Sequence, residues 1–382
     1  MCDEARIHKE EQLSICVRYA VEMEVYERFL GFVDVSKGQN ANNIVEAIYA
    51  YFEGQKISIQ NVNIVAQSYD GASVMSGNMN GVQAKIKEQH PAAVYTHCMA
   101  HRLNLVVVDT CKSIKSAQAA FNILEAVYVH LSRPSKNTKL IEIQKKMGLS
   151  KSTTVIWVCD TRWVCRYKNC ESIINNFESI VKALKEEVED QADKDVAQAI
   201  GILSSITKKN FIVIIFILYD VLCIINILSN QLQNKKATLG NSGKIIKGVI
   251  ASFKHLRSDE AFDKFWQKVQ DFANKNNILL TILSTNEVSK EKQTRKRREP
   301  AKLQDYALSH RTGAESENNT SNTIEYWRTT VYLRIIDAII INLEKRFSEE
   351  SLELAESVDN FFNLDEQNSL CFINTYKVLK KC

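Results

Sequence analysis

Proline is almost missing from this chain, with three residues in 382, and glycine is sparse at twelve. So little of either excludes collagen-like repeats and argues against loop-dominated all-β folds. With abundant Lys, Asn, Ile and Leu, it points instead to a largely helical protein. Cysteine is not rare, but its ten positions (Cys2, Cys16, Cys98, Cys111, Cys159, Cys165, Cys170, Cys223, Cys371 and Cys382) contain no CxxC pair. That scatter reads as reduced thiols of the cytoplasm or nucleus, not a disulfide framework. The opening MCDEARIHKEEQ lacks the apolar core of a signal peptide. GxxxxGK[ST], paired GxGxxG, HExxH and GxSxG are all absent, so the common nucleotide, metalloprotease and hydrolase readings have no foothold.

An excess of one charge is missing too. The net charge is +4, from 49 Lys and Arg against 45 Asp and Glu. Segment 290–299 alone is also +4, so the remainder is neutral and whole-chain charge gives no case for nucleic-acid binding. Its core, Arg295, Lys296, Arg297 and Arg298, reads as a nuclear localisation signal, a phosphate contact or a solvated linker. Phe211–Leu228, FIVIIFILYDVLCIINIL, approaches membrane-spanning length. Asp220 near its middle is costly in lipid and no second span exists, so a buried core helix with no membrane role is expected, its Asp facing a polar seam or partner.

The hydrophobic period organises the rest. Leu13, Ile15, Val17 and Tyr19 alternate with polar residues as a half-buried strand, and Phe29–Val35 can pair with it as a hairpin. Asn40 or Asn42 can cap a helix carrying Ile44, Ala47, Ile48 and Tyr51. Val62–Ala66 reads as a short buried strand, Gly71–Gln89 as a glycine-rich turn and helix, and Ala93–Thr96 as one more strand. The order indicates an α/β layer. From His101 the pattern is helical, over His101–Leu131, Leu140–Met147, Tyr167–Val188, Val196–Leu232, Gly243–Leu256, Ala261–Asn276 and Ile324–Phe347. The expected domains are an α/β part at 1–97, an all-α insertion at 98–283, a polar basic linker at 284–323 and a C-terminal helical segment at 324–382.

Four groups of residues could carry chemistry. Asp70, in Gln67-Ser68-Tyr69-Asp70-Gly71-Ala72-Ser73, follows a strand, where open α/β sheets gather ligands; the alternative is an Asp that only caps the next turn. Asp3 precedes the hairpin; beside Asp70 on a neighbouring strand it could hold divalent cations, and alone it is solvated surface. Cys98 and His101 share a helix face, but structural zinc needs four ligands and no second pair lies nearby, so a packed or hydrogen-bonded pair is favoured over zinc. In Asp160-Thr161-Arg162-Trp163, Arg162 can contact phosphate and Trp163 can stack on a base; the alternative is a capped helix start with Trp163 in the core.

Taken together, DEARIHKEEQLSICVRYA, FLGFVDV, IVAQSYDGASVMSG, YTHCMAHRLNLVV and DTRW resemble the hAT-type transposase-derived proteins, and within them zinc finger MYM-type protein 1-like sequences. The match runs in order from Asp3 to about Phe347. It implies an RNase H-like sheet interrupted by a large all-α insertion, and an Asp-Asp-Glu triad binding Mg²⁺ or Mn²⁺ for DNA strand cleavage and joining. By motif, Asp3 and Asp70 match the two Asp, Cys98 and His101 the Cys/His pair, and Trp163 the residue that handles a flipped base. The chain departs from that pattern. The apolar strand before Asp3 is reduced to Met1-Cys2, leaving the sheet incomplete with its first strand missing. No SERxFS-like motif supplies the third carboxylate, and Glu344, Glu349 and Glu350 are not selected by any motif. No BED-type or MYM-type zinc finger is present. The resemblance therefore leads to a degenerate, catalytically inactive transposase-derived protein, nuclear or cytoplasmic, binding DNA or protein. Two readings compete with it: an active metal-dependent nuclease using Asp3, Asp70 and an unidentified acid, and a helical protein oligomerising through 211–228 and 331–343.

Overall fold

The computed structural model describes residues 1–7, 10–22, 24–59, 62–148, 163–190, 195–234, 238–280, 324–362, 367–368, 370 and 373. The chain is mostly helical and forms two compact units. One comprises Met1–Asp109, Ile225–Gly248 and Asn342–Cys382; the other comprises Thr110–Ile224 and Val249–Ile341.

The first unit is built on strands. β1 (Cys2–Ile7), β2 (Glu10–Val21) and β3 (Glu24–Asp34) pair antiparallel in that order. β1 begins at Cys2 and runs on through Asp3 along β2, with Asp3 opposite Ser14 and Cys2 opposite Ile15. Leu13 and Ile15 on one face of β2 are buried, which fixes the register, since a one-residue slip would expose both. Burying such side chains is worth about 1.5–3 kcal/mol each. Leu30 is an extra residue in β3, and the ladder shifts between Ile15 and Cys16 to accommodate it.

Helix α1 (Ala41–Gly54) covers that face. Asn40 caps it, its side chain accepting from the Asn43 N–H at 2.9 Å, and Ile44, Val45 and Ile48 enter the core. Tyr51 donates from its hydroxyl to the Leu30 carbonyl at 2.6 Å and lies over Gly31, where a Cβ would come within 2.4 Å of the phenol oxygen. β4 (Ala66–Tyr69) and β5 (Val94–His97) form a parallel pair, linked through the short α2 (Ser73–Ser76) and α3 (Val82–Gln89). β1 lies beside β4, although the two are not in one hydrogen-bonded sheet. The strand expected at Val62–Ala66 is displaced to Ala66–Tyr69, and Val62 and Val65 are exposed. Its core-facing residues are Tyr69 and Gln67, the latter buried because its amide donates to the Gln83 and Ala93 carbonyls at 3.0 and 3.1 Å.

α4 (Met99–Ser113) follows β5 directly. The later segments of this unit include most of α11 (Leu239–His255), the end of α14 (Leu333–Arg346) and α15 (Glu349–Phe362). α11 and α15 are joined by Lys247–Glu356 at 3.0 Å and by the Thr238 hydroxyl on Asp359.

The second unit is helical: α5 (Lys115–Leu131), α6 (Pro134–Lys146), α7 (Trp163–Asn175), α8 (Phe177–Glu189), α9 (Val196–Ile206), most of α10 (Lys209–Leu232), α12 (Asp259–Lys275) and α13 (Ile324–Tyr326), which continues through a π-helical turn at Trp327–Tyr332 into α14. Three expected helices are each divided. Tyr167–Val188 breaks at Asn176, whose buried side chain donates to the Ser172 carbonyl at 2.8 Å and accepts from Gln144 at 3.2 Å. Val196–Leu232 breaks after Thr207, which donates back to the Leu203 carbonyl at 2.8 Å. His101–Leu131 breaks at the extended Ile114.

Phe272 packs edge-on against Phe177 and Phe216, with ring centres 5.1 and 4.9 Å away. α10 is long and apolar enough to cross a membrane by length and composition, yet 67% of its apolar window is buried within the fold. Asp220 faces Lys268 of α12 at 3.7 Å, the polar partner expected of it. Tyr332, Ile335, Ile336, Ile339, Ile340 and Leu343 are also buried. Most of the apolar residues of the two helices therefore lie in the core, while Ile227 and Ile341 are exposed.

Candidate functional site

The carboxyl ends of β4 and β5 meet the start of α4. This is the position where parallel strands leave backbone groups and loops free for a ligand. Cys98 extends the pairing by one residue, its N–H donating to the Tyr69 carbonyl at 3.0 Å. Tyr95 reaches across from β5 and donates to the Asp70 carbonyl at 3.0 Å, with its ring stacked on Tyr69. Burial, then the nearby Asp70, hold the Tyr95 phenol above its ordinary range.

Asp70 is half-buried at the end of β4, and one of its carboxylate oxygens accepts from the Ala72 N–H at 3.1 Å. That bond is the turn-capping role weighed against the ligand role in the sequence. Asp3 is exposed on β1, and its carbonyl accepts from the Ser14 hydroxyl at 2.9 Å. Cys2 and Tyr69 both point to the core side, where burial pushes the Cys2 thiol up to about 11 and, with a smaller push from Cys2, raises Tyr69. Asp70 lies one residue past the end of β4, and strand alternation puts Asp3 on the opposite face of β1. That face also carries Phe32, opposite Ser14, and Phe29, opposite Cys16; the two rings are edge-on at 5.0 Å and more than half exposed.

A two-metal centre needs more than this pair of acids. Among the described residues no group of three or more His, Cys, Asp or Glu side chains could hold a metal ion. The described residues therefore do not fit an Mg²⁺ or Mn²⁺ pair. Among the described residues, Cys98 and His101 belong to no group of three or more side chains that could hold a metal ion. Cys98 is a free, half-buried thiol, and the His101 ring packs against His97 with centres 5.7 Å apart.

In the sequence His97 stood out only as part of YTHCMAHRLNLVV, and Arg102 and Arg346 were not singled out. His97 closes over Gly71, where a Cβ would lie 2.4 Å from the imidazole Cε1. Burial, then Arg102 and His101, hold this imidazole below its ordinary pKa; Asp70 opposes them. Arg102 is half-buried on α4 and lies over the Phe347 ring at 4.8 Å. Arg346, beside Phe347, is ion-paired with Asp109. The available signal was spacing: Arg102 and Asp109 are seven apart on one helix, so they share a face. Nothing local marked Arg346-Phe347 as their partner. Trp163 opens α7, but its side chain lies outside the described residues, as do Arg162 and the run Arg295, Lys296, Arg297 and Arg298.

Comparison with known proteins bears on this geometry. Residues 1–81 match the family DUF4371, described as the ZMYM1/FAM200 RNase-like domain. The chain is also similar to a human protein named 52 kDa repressor of the inhibitor of the protein kinase, 20% identical over 369 residues, covering 92% of this chain and 44% of the relative. The mouse protein of the same name is 21% identical over 364 residues, with the same coverage of both. The chain thus spans less than half the length of the curated relatives it matches. At a coarse level these matches support a transposase-derived family, in agreement with the motif resemblance.

Proposed function

We propose that this chain is a transposase-derived, RNase H-like module that engages DNA without cutting or joining it, and that it acts in the nucleus. The observation that carries the reading is the state of the acidic pair. Asp3 lies near the start of β1 and Asp70 just past the end of β4, no group of three or more metal-ligating side chains occurs among the described residues, and Asp70 already caps its own loop. With two acids, a cation pair would be under-compensated and loosely held. Each tenfold loss in rate corresponds to about 1.4 kcal/mol of barrier, and an incomplete two-metal centre loses many such factors. The relatives are named as repressors, which supports a role in binding over one in catalysis.

The test is incubation of the purified chain with supercoiled plasmid in Mg²⁺ and in Mn²⁺. The expected result is retained supercoils in both, alongside a mobility shift that weakens steeply with salt. Nicking that Asp70→Asn removes would replace this reading with the active nuclease.

A further inference from the structure

We infer that Arg102 is the residue through which this module grips a nucleic-acid phosphate. The inference rests on the DNA-handling role proposed above and assigns it to a specific contact. Arg102 is half-buried, and its guanidinium carbon lies over the Phe347 ring, 4.8 Å from the centroid. A guanidinium removed from water normally finds a carboxylate. Here the groups acting on it are burial itself, the like charge of Arg346 and the Tyr95 phenol, with no carboxylate among them. Asp109, the neighbouring acid, is engaged by Arg346. Arg102 and Arg346 thus set two cations against the one carboxylate of Asp109.

The setting favours phosphate over other anions. The guanidinium is a planar fork, which matches two phosphate oxygens. The imidazole Nε2 of His97 is enclosed without a hydrogen-bond partner among the described residues, and burial, then Arg102, lower the pKa of this ring.

The experiment measures anisotropy of a fluorescein-labelled 20-base-pair duplex from low to moderate salt, with wild type, Arg102→Gln and Arg102→Lys. Thermal melts check that each variant is folded. Arg102→Gln should weaken binding several-fold on unrelated sequences and reduce the slope of log affinity against log salt by about one. Arg102→Lys, which keeps the charge and loses the fork, should retain the slope and recover part of the affinity. If wild type binds DNA and Arg102→Gln matches it in affinity and slope, the assignment to Arg102 is wrong while the DNA-handling role stands. If wild type binds no duplex, that role itself fails. Binding of a polyglutamate peptide through Arg102 without binding of DNA would also overturn the assignment, because the fork would then serve an acidic protein.

Discussion

The His97 imidazole occupies the space above the Cα of Gly71, so that a Cβ there would meet Cε1 at 2.4 Å and Nε2 at 2.8 Å. The loop that carries Asp70 is therefore shaped by the end of the neighbouring strand. Gly71→Ala must displace either the ring or the loop. Overpacking of this kind costs about 1–3 kcal/mol. Urea denaturation should show that loss, and Gly71→Ala combined with His97→Ala should recover part of it. A single variant as stable as wild type would mean that the contact does not constrain the loop.

Asp220 gives a pH-dependent expectation. Burial raises its pKa, and Lys268 works against that rise. An acid with a higher pKa folded than unfolded binds its proton more tightly in the native state. Stability is therefore lost as pH rises above the unfolded value of about 3.9. Asp220→Asn should remove this loss, so its advantage over wild type should grow between about pH 4 and pH 7. Lys268→Met should act in the opposite direction, by about 0.5–1 kcal/mol at neutral pH, since the lysine is well exposed. Chemical denaturation at several pH values reads both effects.

The helical unit holds a buried ionic group with no part in the site. His130 is fully buried, with Nε2 3.0 Å from Glu187, and Lys136 lies 2.7 Å from the other carboxylate oxygen. Removing one member of such a group leaves the others uncompensated. Glu187→Ala should cost about 3–5 kcal/mol by urea denaturation. DNA affinity measured under conditions where the variant remains folded should be unchanged.

The exposed pair Phe29 and Phe32 belongs to the face of Asp3. Phe32→Ala removes no core contact, so its effect on stability should stay within about 0.5 kcal/mol. A larger loss in a thermal melt would show that this face is covered in solution.

What could be read from the sequence depended on how far the signals lay apart. The hairpin was legible because Leu13 and Ile15 alternate with polar residues over one continuous stretch. The helical unit was legible from its apolar spacing, but its breaks were not. Asn176 and Thr207 end helices through side-chain bonds that an apolar count ignores. β4 was misplaced because a buried Gln67 masked its inward face. Asp70 was legible because glycine follows it at a strand end, whereas Arg102 was not. Its distinguishing features, the Phe347 ring and Arg346, lie more than 240 residues away, and only the fold brings them together.

The most direct test asks whether the acidic pair takes up metal. Electron paramagnetic resonance of free Mn²⁺, titrated with the purified chain, measures this without any assay of cleavage. The account predicts that equimolar protein at micromolar concentration leaves the free Mn²⁺ signal essentially intact, and that Asp3→Asn and Asp70→Asn behave like wild type. Loss of the signal at two ions per chain, restored by Asp70→Asn, would contradict it.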